Sequence, residues 1–132
     1  MNLNKEQLWQ YDREGWVYLP ELFCREEVDV LKGELPKIFA MRREEVWREK
    51  DDEAVRTAFA AHTYNEAFAR LGRHPRLLGP VMQLLDGPVY MHQYKINGKA
   101  AFNGDVWQWH QDYGTWARDD RMPEPRAMNV AL

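Results

Sequence analysis

The sequence predicts an α+β fold, mainly helical over residues 1–88 and built of strands over 89–132. Three observations carry this reading. Apolar residues recur at helical spacing up to Leu85. After Pro88 the period changes to two. Between two alternating runs stands Asn97-Gly98, the strongest short turn signal in the chain. At 132 residues the chain is one domain at most.

The first helix follows Asn4, placed as N-cap with Gln7 as its capping-box partner, and Gly15 ends it. Trp16 to Leu19 has strand character and is stopped by Pro20. A second helix starts near Cys24, with Glu26 and Glu27 favourable in its first turn. Val28, Leu31, Leu35, Ile38 and Phe39 form its apolar stripe, and Pro36 predicts a kink or break. Residues 41–56 carry mixed charge, Asp51 and Asp52 included, and read as a solvated helix face or mobile loop. Thr63 and Glu66 form a capping box for a helix through Phe68 and Leu71 that Gly72 closes. Pro75 opens the next helix, Gly79-Pro80 should distort it, and Asp86-Gly87-Pro88 ends it. Val89 to Asn97 and Val106 to Tyr113 read as strands. A loop with Pro123 and Pro125 follows, and Ala127 to Leu132 starts a further strand. A strand that ends without a turn, and a sheet with open edges, are expected of an N-terminal portion of a larger protein. They also leave self-association into a homo-oligomer open.

Composition narrows the function. Lys+Arg 18 against Asp+Glu 21 leaves a net charge of −3, which argues against nucleic acid as partner. No apolar run reaches the roughly 18 residues of a membrane span. The N-terminus lacks the pattern of a signal peptide. A single cysteine excludes an internal disulfide framework and makes a reducing, cytoplasmic compartment the default. Six tryptophans are unusual, and Trp107, Trp109 and Trp116 crowd beside His110 and Asp112.

On a strand over 106–113, Gln108, His110 and Asp112 share one face, while Trp107, Trp109, Gln111 and Tyr113 share the other. An imidazole and a carboxylate two apart on one face suit two cis ligands of one metal, part of the set that binds non-haem Fe(II). The same spacing also suits a hydrogen-bonded structural His–Asp pair. The aromatic face is expected in the core, and a Gly114-Thr115-Trp116 turn would set Trp116 over a small ligand. Elsewhere, His62 and His74 read as surface or capping residues at helix starts. His92 reads as a packed, hydrogen-bonded core histidine, Cys24 as a cap rather than a nucleophile, and Asp119 and Asp120 as loop-solvated.

The runs Val89 to Lys99, Trp107 to Trp116 and Asp120-Arg121-Met122-Pro123 resemble the phytanoyl-CoA dioxygenase family, most closely its ectoine hydroxylase branch. Gly15 to Pro20 followed by a helix is similar to the family's usual opening. The resemblance implies N-terminal helices packed on an incomplete double-stranded β-helix, or jelly roll, in a single partial domain over residues 1–132. It implies an Fe(II)- and 2-oxoglutarate-dependent hydroxylase that uses O2 on a small, amino-acid-like or zwitterionic substrate. His110 and Asp112 match iron ligands, and Lys99 and Asn97 match residues at the cosubstrate. Gln93 and Trp116 match positions that hold the substrate. Asp112 fills the position that related halogenating enzymes leave to a small residue, which favours hydroxylation. Gln111, Tyr113, Gly114, Lys95 and Gly98 depart from the ectoine enzymes and argue for a different substrate. The family's second iron histidine and its 2-oxoglutarate arginine are expected beyond Leu132. The competing expectation is a catalytically inactive fragment or binding module that keeps the front half of the fold.

Overall fold

A computed structural model describes residues 1–50, 53–102 and 106–132. Helices α1 (Lys5–Glu14) and α2 (Arg25–Ala40) are followed by strands β1 (Val46–Arg48) and β2 (Val55–Phe59). A single 3-10 turn, Ala61–Thr63, leads into α3 (Glu66–Gly72) and α4 (Pro75–Leu84). Strand β3 (Lys95–Asn97) and helix α5 (Asp112–Asp119) complete the regular elements. The α+β class holds, with one three-stranded antiparallel sheet in the order β1-β2-β3 among the described residues.

The helix ends follow local chemistry. Asn4 and Gln7 form the reciprocal capping box, and Gly15 ends α1 at φ 77°. Cys24 is the N-cap of α2, and its N–H donates to Glu27 Oε2 at 2.9 Å. That bond, and next the Arg76 guanidinium, hold the Glu27 carboxyl below its usual range. Arg76 also donates to Leu22 O at 2.6 Å and lies over the Phe23 ring, so it ties the start of α4 to the start of α2. His74 caps α4 through Nδ1, as its position at a helix start suggests.

Several local expectations are corrected. Trp16–Leu19 makes no strand, because it has no ladder partner among the described residues. Pro36 does not break α2, which runs on to Ala40, and α4 runs through Gly79-Pro80 to Leu84. At Pro36 the residue four back, Lys32, is exposed, so water can reach the freed carbonyl. Asn65, not Thr63, caps α3 by accepting from Phe68 N–H; Thr63 belongs to the preceding 3-10 turn. The mixed-charge segment is neither a helix face nor a loop alone: it contains β1 and the start of β2. Asp51 and Asp52 lie outside the described residues. Val89–Asn97 shortens to β3, and Ala127–Leu132 is irregular.

The core lies where α2 and α3 cover β2. Ile38, Ala58 and Ala61 are fully buried, with Val46, Val55, Phe68 and Leu71 around them. Tyr94 packs edge-on to Phe68 and donates to Phe68 O at 3.3 Å. Its burial pushes the phenol up to about 12. Asn97-Gly98 does not make the expected hairpin with 106–113: β3 pairs with β2 on one edge, and residues 106–111 form no strand for the other. Gly98 is required there by close approach: a Cβ would sit 2.5 Å from Val55 O, and Gly98 N–H donates to Arg56 O at 3.0 Å.

Two predictions follow from this packing. Gly98→Ala should destabilise the fold by about 1–3 kcal/mol, since backbone must move. Gly33→Ala, inside α2 with nothing within 4 Å of the added carbon, should stabilise it by about 0.5–1 kcal/mol. Urea denaturation of both variants checks the opposite signs. For Tyr94 the folded-state value lies above the unfolded value, so its contribution is full below about pH 10 and is lost as pH rises towards 12. Tyr94→Phe should therefore flatten part of the alkaline loss of stability, and absorbance titration should show one late-ionising tyrosine that the variant lacks.

Candidate metal centre

The His-x-Asp segment is held at three points. Trp107 lies 4.3 Å under the Arg56 guanidinium, and Arg56 also pairs with buried Glu49 at 3.0 Å. This anchor sits on β2, in the segment the charge pattern marks as solvated. At the other end, Asn129 Nδ2 donates to Asp112 Oδ2 at 3.0 Å. Beyond α5, Tyr113 Oη donates to Pro123 O at 3.3 Å.

Residues 106–111 form no strand, and Asp112 opens helix α5, which takes in the expected Gly114-Thr115-Trp116 turn. A carboxylate in the first turn and Arg118 in the last suit the helix dipole. His110 and Asp112 nevertheless converge, with Nε2 3.1 Å from Oδ1. The reason is Gln111, the N-cap, whose φ −103° and ψ 116° are extended. One extended residue between two others puts their side chains on the same side, as in a strand.

The aromatic face does not pack as expected. Trp109 is fully exposed and Trp107 half-exposed, because no second layer covers the segment among the described residues. His92 is packed, and its Nε2 finds no hydrogen-bond geometry but stands at ion-pair distance, 3.1 Å, from Asp120 Oδ2; its ring is steeply inclined to Trp116. Asp120 therefore faces an imidazole, while Asp119 closes α5 and pairs with Arg118 at 2.6 Å. His62 is not a cap: its Nδ1 is buried without a partner, and its ring leans on Tyr94.

The donor chemistry at the pair suits a divalent cation. His110 Nδ1 lies 2.7 Å from Gln108 O. A carbonyl only accepts, so Nδ1 carries the proton, and in the neutral ring Nε2 presents a lone pair. That lone pair faces a carboxylate oxygen, so a proton or a cation must stand between them. Two donors at about 2.1 Å from one ion and at right angles lie about 3.0 Å apart. Gln108 O behind the imidazole and Asn129 behind the carboxylate give each group the outer partner that metal ligands usually have. Among the described residues no cluster of three or more His, Cys, Asp or Glu supplies a full set.

Around the pair, Trp116 is one turn along α5 from Asp112, on the same face. Gln93 is exposed and follows His92, which touches Trp116. Asn97 ends β3 and accepts from Thr57 Oγ1 at 3.1 Å, while Lys99 is exposed just beyond it. The structure sets Asn97 and Lys99 on the sheet side; Gln93 adjoins His92 in the chain and has no hydrogen bond to α5 among the described residues. Arg56, Asn129 and Asp120 escaped the sequence reading. For Arg56 the available signal was Val55 and Thr57 in β-branched alternation around it.

The pattern of the phytanoyl-CoA dioxygenase (PhyH) family matches residues 11–132. The chain belongs to that family. Its relatives include the L-proline trans-4-hydroxylase of Streptomyces griseoviridis, 41% identical over 93% of this chain and 46% of that protein. The ectoine dioxygenase of Bordetella parapertussis is 37% identical over 98% of this chain and 44% of its own length. Among solved structures, EctD from S. alaskensis with 2-oxoglutarate and 5-hydroxyectoine superposes with a TM-score of 0.88. It is 30% identical over 94% of this chain and 45% of that one. EctD with bound Fe superposes at 0.80 and 29% identity, over 86% of this chain and 42% of that one. The chain spans less than half the length of these phytanoyl-CoA dioxygenase relatives. No helix of the described residues is long and apolar enough to cross a membrane.

Titration with Co(II), a spectroscopic stand-in for Fe(II), tests the pair in the longest reading frame that contains this chain. His110→Ala and Asp112→Ala should abolish specific binding. Asn129→Ala should weaken it about 10–100-fold by freeing the carboxylate to rotate. Unchanged affinity in all three variants would remove the metal from this site.

Proposed function

We propose that this chain contributes the first two metal ligands, the cosubstrate basic residue and part of the substrate wall of an Fe(II)- and 2-oxoglutarate-dependent hydroxylase. Its sheet is read as the first part of a jelly roll. The observation that carries the proposal is the convergence of His110 Nε2 and Asp112 Oδ1, each backed by its own hydrogen bond. Membership of the family and likeness to an iron- and 2-oxoglutarate-binding protein support it.

Bound Fe(II) with 2-oxoglutarate supplies activation of O2 for hydroxylation. The protein's residues do the rest. His110 and Asp112 would hold the metal in adjacent positions, with Gln108 O keeping the imidazole in its metal-ready tautomer. Lys99 would meet a carboxylate of 2-oxoglutarate as a point charge. Thr57 donates to Asn97 Oδ1, which leaves the Asn97 amide N–H groups free to donate to the same anion. Trp116, on the Asp112 face of α5, would stack on the cationic part of the substrate, and Gln93 would hydrogen-bond its polar end. Proline and ectoine, named in the relatives, are small zwitterions, and the same substrate class fits an aromatic face beside an amide. Asp112 would give the metal a carboxylate where related halogenating enzymes have a small residue, which favours hydroxylation over halogenation.

A paired assay tests the reading. Residues 1–132 and the longest reading frame containing them each receive Fe(II) and 2-oxoglutarate, with L-proline, ectoine and related zwitterions. Substrate-dependent succinate is expected from the longer protein alone, and Lys99→Ala in it should raise the 2-oxoglutarate KM about 5–150-fold, the loss of one charge-assisted bond. Robust succinate from residues 1–132 would show that these residues find the third ligand themselves, His92 being the first suspect. No turnover from either would overturn the enzyme reading in favour of a binding module.

A further inference from the structure

Helix α5 carries a stripe the proposed mechanism uses only in part. Asp112, Trp116 and Asp120 follow each other at four-residue steps, at the start, the middle and just past the end of the helix. The Trp116 carbonyl accepts from both Asp120 N–H, at 3.1 Å, and Met122 N–H, at 3.0 Å. This closed turn fixes Asp120 relative to Trp116.

A single side chain from outside the helix meets both. The His92 imidazole is three-quarters buried, its Nε2 lies 3.1 Å from Asp120 Oδ2, and its ring stands edge-on to the Trp116 indole, 5.2 Å between centroids at 74°. Two residues along the chain, Tyr94 is locked into the core: its hydroxyl donates to Phe68 O, and its carbonyl accepts from Ala60 N–H at 2.8 Å. Between the two stands Gln93.

We infer that His92 is a positioning residue: it latches α5 to the core-anchored 92–94 segment, and so sets the angle of the Trp116 indole relative to the segment that carries Gln93. The inference rests on the reading of Trp116 and Gln93 as the substrate wall. It goes beyond that reading in assigning His92 and Asp120, which touch no reactant, to the specificity of the site. An imidazole fits the place because its ring packs at a steep angle to the indole while Nε2 comes within 3.1 Å of the Asp120 carboxylate. Glutamine could reach the carboxylate but not pack as a ring, and phenylalanine could pack but not reach.

The test labels the longest reading frame containing this chain with 5-fluorotryptophan, and Trp116→Phe assigns the Trp116 resonance in the fluorine NMR spectrum. Asp120→Asn, a half-exposed substitution, and His92→Phe are each expected to shift or broaden that resonance. Asp120→Glu should restore most of it. In turnover with L-proline and ectoine as probes, both variants should raise substrate KM roughly tenfold or more, with the 2-oxoglutarate KM and Co(II) affinity unchanged. An unmoved Trp116 resonance in both variants overturns the latch. A shifted resonance with probe KM values that neither these variants nor Trp116→Ala changes supports the latch and overturns the substrate reading on which it rests.

Discussion

Everything in this structure hangs on β2. It is the central strand, so its backbone is paired on both sides, by β1 with a bulge after Trp47 and by β3 in regular register. Thr57 and Ala58, on its two opposite faces, are both almost completely buried. A strand fixed in this way can hold polar groups that would otherwise wander. Thr57 turns the Asn97 amide, Arg56 is pinned between buried Glu49 and the Trp107 face, and Gly98 is pressed against Val55 O. β3 with Lys99 just beyond it on one side, and the His-x-Asp segment on the other, are both referenced to this strand.

The metal pair shows a different kind of constraint, one of proton count. With Nδ1 committed to a carbonyl, the neutral His110 ring and the Asp112 carboxylate offer only acceptors to each other across 3.1 Å. A salt bridge needs the imidazole to take a second proton, and a metal removes the need for it. Both groups are partly exposed, at 58% and 36% of their side chains, so solvent alone does not make an ion pair between them worth much. An imidazolium facing the carboxylate and a cation bound by both would each keep the two outer hydrogen bonds, from Nδ1 to Gln108 and from Asn129 to Oδ2.

What the sequence made legible was local. The Asn4–Gln7 box, the Gly15 stop, Cys24 and His74 as caps and the spacing of His110 and Asp112 all depend on residues within a few positions of each other. The spacing argument even survived the loss of its premise, since a single extended residue at Gln111 does what a strand would have done. What was not legible required partners far along the chain. β1 and β2 are short and heavily charged, and only the burial of Val46, Val55 and Thr57 under α2 reveals them as strands. The alternation of 106–113 looked like a ladder strand, but alternation specifies faces and not a neighbour to pair with. The contacts of Asn129 with Asp112 and of His92 with Asp120 span 17 and 28 positions, with no periodicity to announce them.

This division between near and far bears on how such a site is assembled. Gln108, His110 and Asp112 lie within five residues, so forming the pair costs little loop-closure entropy, and its geometry is set as soon as Gln111 is extended. Fixing where that pair points is the harder task. Arg56, His92 and Asn129 each bring one long-range contact, from β2, from the segment before β3 and from the residues after α5. Asn129 engages Asp112 Oδ2 and Gln108 O engages His110 Nδ1, so these orienting contacts leave Nε2 and Oδ1 facing each other. The local contacts therefore set the pair's own geometry, and the distant ones set its direction in the fold.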